Sequence, residues 1–438
     1  MKYKLLTFLG TTKYTTVYFE WENKEEDVVC RTGDPYPFVQ MGILEFFRTM
    51  YGEEPLEVVV FLTDEAREKN WEVREEKYKG LRWYLEEEGK ELAPELTVRE
   101  IPIKTPQTEE ELWELFETIN GTLEENDRVI FDITHSFRFF PVLTMLVLNY
   151  ARFVKKVDII HILYGAMEAL GTREEIEQMY LEDRNVPLWD FSPMIILLDW
   201  TYAIEKFLET GNADALEETV KKDENFRNLL AKTRGRKGGA LDTMVKSLSD
   251  FTRHIYTCRM PKIGERLETV IKRTELAKLQ EDYLPVMKPV IERVNQRFKG
   301  MYTSNPTLTE LKIAEWCAEK GLIQQGYTFL REALVNYILR SIPEVSLTGK
   351  EDRKKAENIL NGVEIPPVSI PYLEDIKKVW MKVADIRNDI NHGGMRTWKC
   401  SPNTLIEQLQ NFVHETMEIL EGKEKIEEEK DKNSILGS

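Results

Sequence analysis

The chain has 438 residues, with 60 Lys and Arg against 77 Asp and Glu and a formal net charge of −17. That length predicts two or three domains at ~150 residues each, and 42% hydrophobic residues exclude disorder for most of it. The acidic balance excludes a general grip on long nucleic acid, because that binding needs a basic surface that displaces counterions. Nucleic-acid chemistry on this chain must therefore sit in a local pocket.

No apolar run approaches the ~20 residues needed to cross a bilayer. The start, MKYKLLTFLG, lacks a small-residue cleavage site and reads as a strand. Four widely spaced cysteines (Cys30, Cys258, Cys317, Cys400) without a CxxC argue against a disulfide scaffold or a zinc ribbon. The expectation is a cytoplasmic protein that binds neither membrane, metal nor DNA.

In chain order, strands are predicted at Tyr3–Leu9, Leu56–Leu62, Leu96–Ile103, Arg128–Ile133 and Val157–Tyr164. Helical patterns lie between them at Phe38–Met50, Asp64–Glu88, Glu109–Thr118 and Phe137–Val154. Continuous apolar runs such as EVVVFL and VDIIHILY imply strands covered on both faces. The alternation predicts a mostly parallel sheet in a Rossmann-like α/β domain over residues 1–190.

Beyond Pro193 the apolar spacing turns helical, as in IILLDWTYAIEKFL and YTFLREALVNYILRSI. We expect a helical intermediate region over 191–302, an all-α domain over 303–425 opened by TSNPT, and a charged tail over 426–438. The basic, glycine-rich TRGRKGGA (Thr233–Ala240) is either a solvated connector or a positive guide for nucleic acid. The spacing at Trp316, Tyr327 and Phe329 marks core.

Ligands of open α/β sheets bind over the carboxyl ends of the strands. Three such ends carry small polar residues: Gly10, Thr11 and Thr12; Thr63 and Asp64; and Asp132, Thr134, His135, Ser136 and Arg138. Hydroxyls, free N–H groups and a helix start suit phosphates or ribose. The competing account is that these residues only cap the helices that follow. Neither GxGxxG nor GxxxxGK[ST] occurs, which speaks against a dinucleotide or triphosphate site. His135 has three readings: ligand contact, proton transfer or a plain hydrogen bond. His161, in an apolar strand, reads as a satisfied core histidine.

Towards the end, VADIRNDINHGGM carries Arg387, Asn388 and His392 before a Gly393–Gly394 stop. Asn388 and His392, four apart, share a helix face. RNA cleavage needs proton transfer at the 2′-OH and 5′-oxygen and a cation beside the phosphorane, roles open to His and Arg. The alternative is a helix end whose His complements the dipole.

Together these residues resemble the type III CRISPR-associated ribonucleases that join a CARF sensor domain to a HEPN nuclease domain. RNDINH is similar to the HEPN signature R-x(4–6)-H at Arg387, Asn388 and His392, while LGTTKYT and DITHSFRFFP resemble CARF turns. The likeness spans nearly the whole chain, least in about 195–300. It implies that cyclic oligoadenylate, with cyclic tetra-adenylate favoured, binds across a homodimer or higher oligomer at Gly10, Thr11, Thr12, Asp132, Thr134, His135 and Arg138. It further implies cleavage of single-stranded RNA, without metal or cofactor, at a composite HEPN site of two chains. Rival readings are a non-catalytic dimeric sensor, a transcription regulator, which would need a basic recognition helix, and a nucleotide-dependent oxidoreductase.

Overall fold

The computed structural model describes residues 2–23, 28–76, 78–135, 139–222, 239–279, 286–395 and 401–435. They form two compact units, Met1–Ile196 and Leu197–Ser438.

In the first unit the strands are β1 (Tyr3–Phe8), β2 (Tyr18–Asn23), β3 (Val28–Arg31), β4 (Leu56–Leu62), β5 (Leu96–Pro102), β6 (Arg128–Asp132), β7 (Asp158–Gly165) and β8 (Asn185–Asp190). They build one sheet in the order β3-β2-β8-β7-β6-β1-β4-β5. β1 pairs in parallel with both β4 and β6, so the chain's direction of winding reverses there. Antiparallel pairing joins β7 to β8 and β2 to β3. The unit is the mostly parallel, Rossmann-like α/β layer structure that the alternation predicts.

Alternate side chains of the central strands feed two apolar layers. Leu5, Val58, Val60 and Ile130 face α1 (Val39–Tyr51). Leu6, Phe8, Val59, Phe61 and Phe131 face α2 (Glu109–Gly121) and α3 (Phe140–Val154). Burial on both faces explains the uninterrupted apolar runs. His161 is a satisfied core histidine, 5% exposed, with one ring nitrogen 2.7 Å from the Tyr51 hydroxyl and the other 2.8 Å from the Asp190 carboxylate.

The outer face of α3 departs from this economy. Val142, Leu146, Tyr150, Phe153 and Val154 recur at helical spacing and are exposed, Phe153 by 89%. Neighbouring Trp113 on α2 is 61% exposed.

The helix α4 (Ser192–Thr210) runs across the boundary at 196, and the second unit is helical among its described residues. It contains α5 (Asp214–Lys222), α6 (Ala240–Tyr256), α7 (Ile263–Leu279) and α8 (Met287–Lys299). There follow α9 (Pro306–Glu319), α10 (Ile323–Arg340), α11 (Lys350–Leu360), α12 (Leu373–Asn391) and α13 (Pro402–Ile435). TSNPT does start a helix: Asn305 Oδ1 accepts from the Thr307 and Leu308 N–H groups, and Pro306 takes the first position. Of the basic loop, residues 233–238 lie outside the described residues. Among the described residues no helix is long and apolar enough to cross a membrane.

Candidate functional site

The turn after β1 is held open by contacts from other elements. The Gly10 N–H donates to the Tyr14 hydroxyl at 2.7 Å, and a Cβ at Gly10 would stand 2.7 Å from that oxygen. A side chain at Gly10 would therefore have to displace the Tyr14 hydroxyl. Buried Asn70 spends both amide protons on this turn, donating to Gly10 O and Thr12 O at 2.8 Å each. The Tyr78 hydroxyl in turn donates to Asn70 Oδ1 at 2.6 Å. Asn70 is aimed there by a π-type turn, Arg67–Trp71, closed by the Glu72 N–H bonding to Arg67 O.

The turn after β4 begins with Thr63, whose hydroxyl accepts from the Ala66 N–H and so caps the short helix Asp64–Ala66. After β6, Asp132 is 1% exposed and faces inward. Its Oδ2 accepts from Thr7 Oγ1 at 2.6 Å and Gln40 Nε2 at 3.1 Å, and its Oδ1 from the Thr134 N–H at 2.9 Å. Burial pushes the Asp132 carboxyl up, opposed by its bonds to Thr134, Thr7 and Gln40. Thr134 Oγ1 accepts from the Gly165 N–H, which tethers this turn to the end of β7.

These turns enclose a cavity of about 270 Å³. Phe8, Phe61, Ile103 and Phe140 form its apolar wall, with Phe8 stacked on Phe61 at 4.9 Å and on Phe140 at 4.8 Å between centroids. Gly10, Thr11, Thr12, Thr63, Thr134 and His135 supply the polar wall. The His135 ring lies 4.2 Å from that of Tyr14. Burial lowers its pKa to about 4, so the imidazole is neutral near pH 7.

Six of the residues proposed from sequence thus line one cavity. Asp132 lies beneath it as a support. Asp64 is exposed at its helix start and does not line it. Ser136 and Arg138 lie outside the described residues. Tyr14, Gln40, Asn70 and Tyr78 escaped the sequence reading. Tyr14 stood in the quoted GTTKYT motif, whereas nothing local marks Asn70, 60 positions from Gly10.

In the second unit Arg387 and Asn388 are half-buried near the end of α12, and His392 is its exposed C-cap. The His392 N–H donates to Asn388 O at 3.0 Å and the Gly394 N–H to Asp389 O at 3.0 Å, while Gly393 and Gly394 take φ of 66° and 67°. The glycine stop thus closes the helix as expected. With its amide turned oxygen-inward, Asn391 accepts from Arg387 Nη1 at 2.9 Å and Nε at 3.0 Å. Arg387 accordingly pairs with Asn391, four residues on. Cys258, in the turn between α6 and α7, also lies near. Burial raises its thiol pKa, against a bond to Thr328 and the Arg387 charge.

The first unit thus holds a cavity at the winding reversal of a parallel sheet, and the second is a helical unit with an Arg–His helix end. Residues 4–168, which contain the whole cavity lining, match the family model "CRISPR system endoribonuclease Csx1, CARF domain". By that match the first unit carries a CARF domain of the kind found in CRISPR-associated proteins. Residues 196–304 match a second model, "CRISPR-associated protein MJ1674, second domain". The CRISPR-associated protein MJ1674 of Methanocaldococcus jannaschii is 20% identical over 235 residues, covering 53% of this chain and 32% of that protein. The chain thus spans about a third of the length of that curated relative.

Proposed function

We propose that this chain is a type III CRISPR effector in which cyclic oligoadenylate, bound at the CARF cavity, switches on metal-independent cleavage of single-stranded RNA at Arg387 and His392. The observation that carries the sensing half is the convergence of Gly10, Thr11, Thr12, Thr63, Thr134 and His135 on one cavity with an aromatic wall. Aromatic faces suit a nucleobase, and hydroxyls and N–H groups suit a ribose-phosphate rim. Arg138, as the cation of the third turn, would balance phosphate, and Arg138→Ala is expected to weaken activation.

The nuclease half has support from geometry and from a relative's name. The matched CARF model is that of a protein described as an endoribonuclease. Positions five apart on a helix stand ~140° apart around its axis. Arg387 and His392 of one chain therefore do not share a face, which favours a composite site in a homodimer. The apolar stripe on α3 supports the same assembly. With Trp113 it exposes roughly 600 Å² of side chain per copy, and about 1,200 Å² in a two-fold pair is the size at which specific interfaces begin. The stripe follows directly on Phe140 of the cavity wall, so pairing there brings two cavities to one axis.

The test incubates the purified chain with labelled single-stranded RNA and EDTA, adding cyclic tri-, tetra- or hexa-adenylate separately. Cleavage with one ring, lost in His392→Ala while the ring still binds, is the expected result. Ring binding without cleavage would make the chain a non-catalytic sensor.

A further inference from the structure

Several arginines of the second unit are matched with carboxylates. Arg253 pairs with Glu217, Arg266 with Asp250, Arg331 with Glu357, Arg340 with Glu310 and Arg353 with Glu332. Arg387 has the neutral Asn391 amide as its partner, and among the described residues no carboxylate forms an ion pair with it. A guanidinium has five N–H donors. Asn391 engages two of them through one oxygen and leaves three for a ligand.

We propose that Asn391 is a positioning residue that fixes the Arg387 guanidinium for a scissile phosphate without cancelling its charge, an inference that rests on the ribonuclease reading above. A carboxylate at 391 would orient the fork equally well. It would also form an ion pair, and less positive charge would remain to meet the negative charge that builds on the phosphorane. An alanine there would leave the charge intact and the side chain unheld, so that its rotamers must be frozen during each turnover. The amide meets both needs. Its place on the same helix, one turn on, ties the oriented cation to a rigid element.

This arrangement separates order from charge, and the test reads each separately. Asn391→Ala and Asn391→Asp are compared with wild type in the full chain, using labelled single-stranded RNA with cyclic tri-, tetra- and hexa-adenylate supplied in turn. NMR relaxation of the Arg387 Nε–H reports side-chain order without reference to activity. Expected are an ordered Nε–H in wild type and N391D and a mobile one in N391A. The kcat should fall about tenfold in N391A and further in N391D, at little-changed KM. A merely structural asparagine predicts the reverse, with N391D close to wild type. N391A at the wild-type rate, N391D faster than N391A, or an equally ordered Nε–H in N391A overturns the proposal. Arg387→Ala separates the two levels. An inactive R387A beside a fully active N391A sinks only the positioning role, whereas a fully active R387A, or a wild-type chain that cuts no RNA, sinks the ribonuclease reading as well.

Discussion

His135 is the cavity residue whose protonation its environment alters. With a pKa lowered to about 4 from an ordinary 6.5, its folded form refuses a proton that the unfolded chain accepts between those values. The stability it contributes is present above pH 6.5 and is lost as the pH falls towards 4. At 1.36 kcal/mol per unit, and allowing for the ring's partial exposure, the loss is about 2 kcal/mol. Asp132 acts in the opposite sense: with its folded pKa raised, its contribution is present below the ordinary carboxylate value and lost as pH rises through the raised one. Comparing urea unfolding of wild type and His135→Asn at pH 7 and pH 5 removes this background. The wild type should lose more stability than the variant, and parallel losses would show that the ring is not desolvated. At neutral pH an uncharged His135 offers a ligand one donor or one acceptor and no net attraction to phosphate.

At the scale of elements, the π-type turn Arg67–Trp71 acts as a clamp on the turn after β1 through Asn70. Asn70→Ala would strand two carbonyls and the Tyr78 hydroxyl, at a cost of about 2–3 kcal/mol in chemical denaturation. Affinity for cyclic tetra-adenylate, measured by calorimetry, should fall at least tenfold as Gly10 and Thr12 lose their tether. Unchanged affinity would mean that the turn holds its shape unaided. This clamp shows where sequence legibility stopped. The five strands read from sequence, β1, β4, β5, β6 and β7, form one continuous stretch of the sheet, and the apolar runs among them are long because both faces are covered. β2, β3 and β8 lie together beyond β7 and were missed. In β2 the buried Phe19 and Trp21 alternate with Glu20 and Glu22, β3 is largely exposed, and β8 contains Pro187, a residue that argues against a strand. The single helix expected over Asp64–Glu88 is interrupted, because Gly80 packs where a Cβ would stand 2.3 Å from Trp71 O. The small polar residues at strand ends were legible from composition alone. Their supports were not, because Asn70 reaches the cavity through tertiary contact. The Arg387–Asn391 pair follows the i,i+4 rule, so its spacing is legible in the sequence although its hydrogen bonds are not.

For the whole molecule, a net charge of −17 sets two copies repelling one another, so any pairing must draw on apolar surface. Leu146→Glu with Phe153→Glu should turn a dimer into a monomer in light scattering coupled to size exclusion, and should abolish activated cleavage while leaving the fold intact. Added salt should strengthen pairing of the wild type by screening the repulsion. A dimer undiminished in the double variant would move the interface off α3.

Phe8, Phe61 and Phe140 belong at once to the cavity wall and to the apolar layer beneath α2 and α3. A guest seated against them therefore extends the interior itself, and its arrival displaces water from rings that the sheet already relies on. Occupancy should consequently register as a higher melting temperature and a negative heat-capacity change. Any ligand of this cavity would thus report its presence through the hydrophobic core.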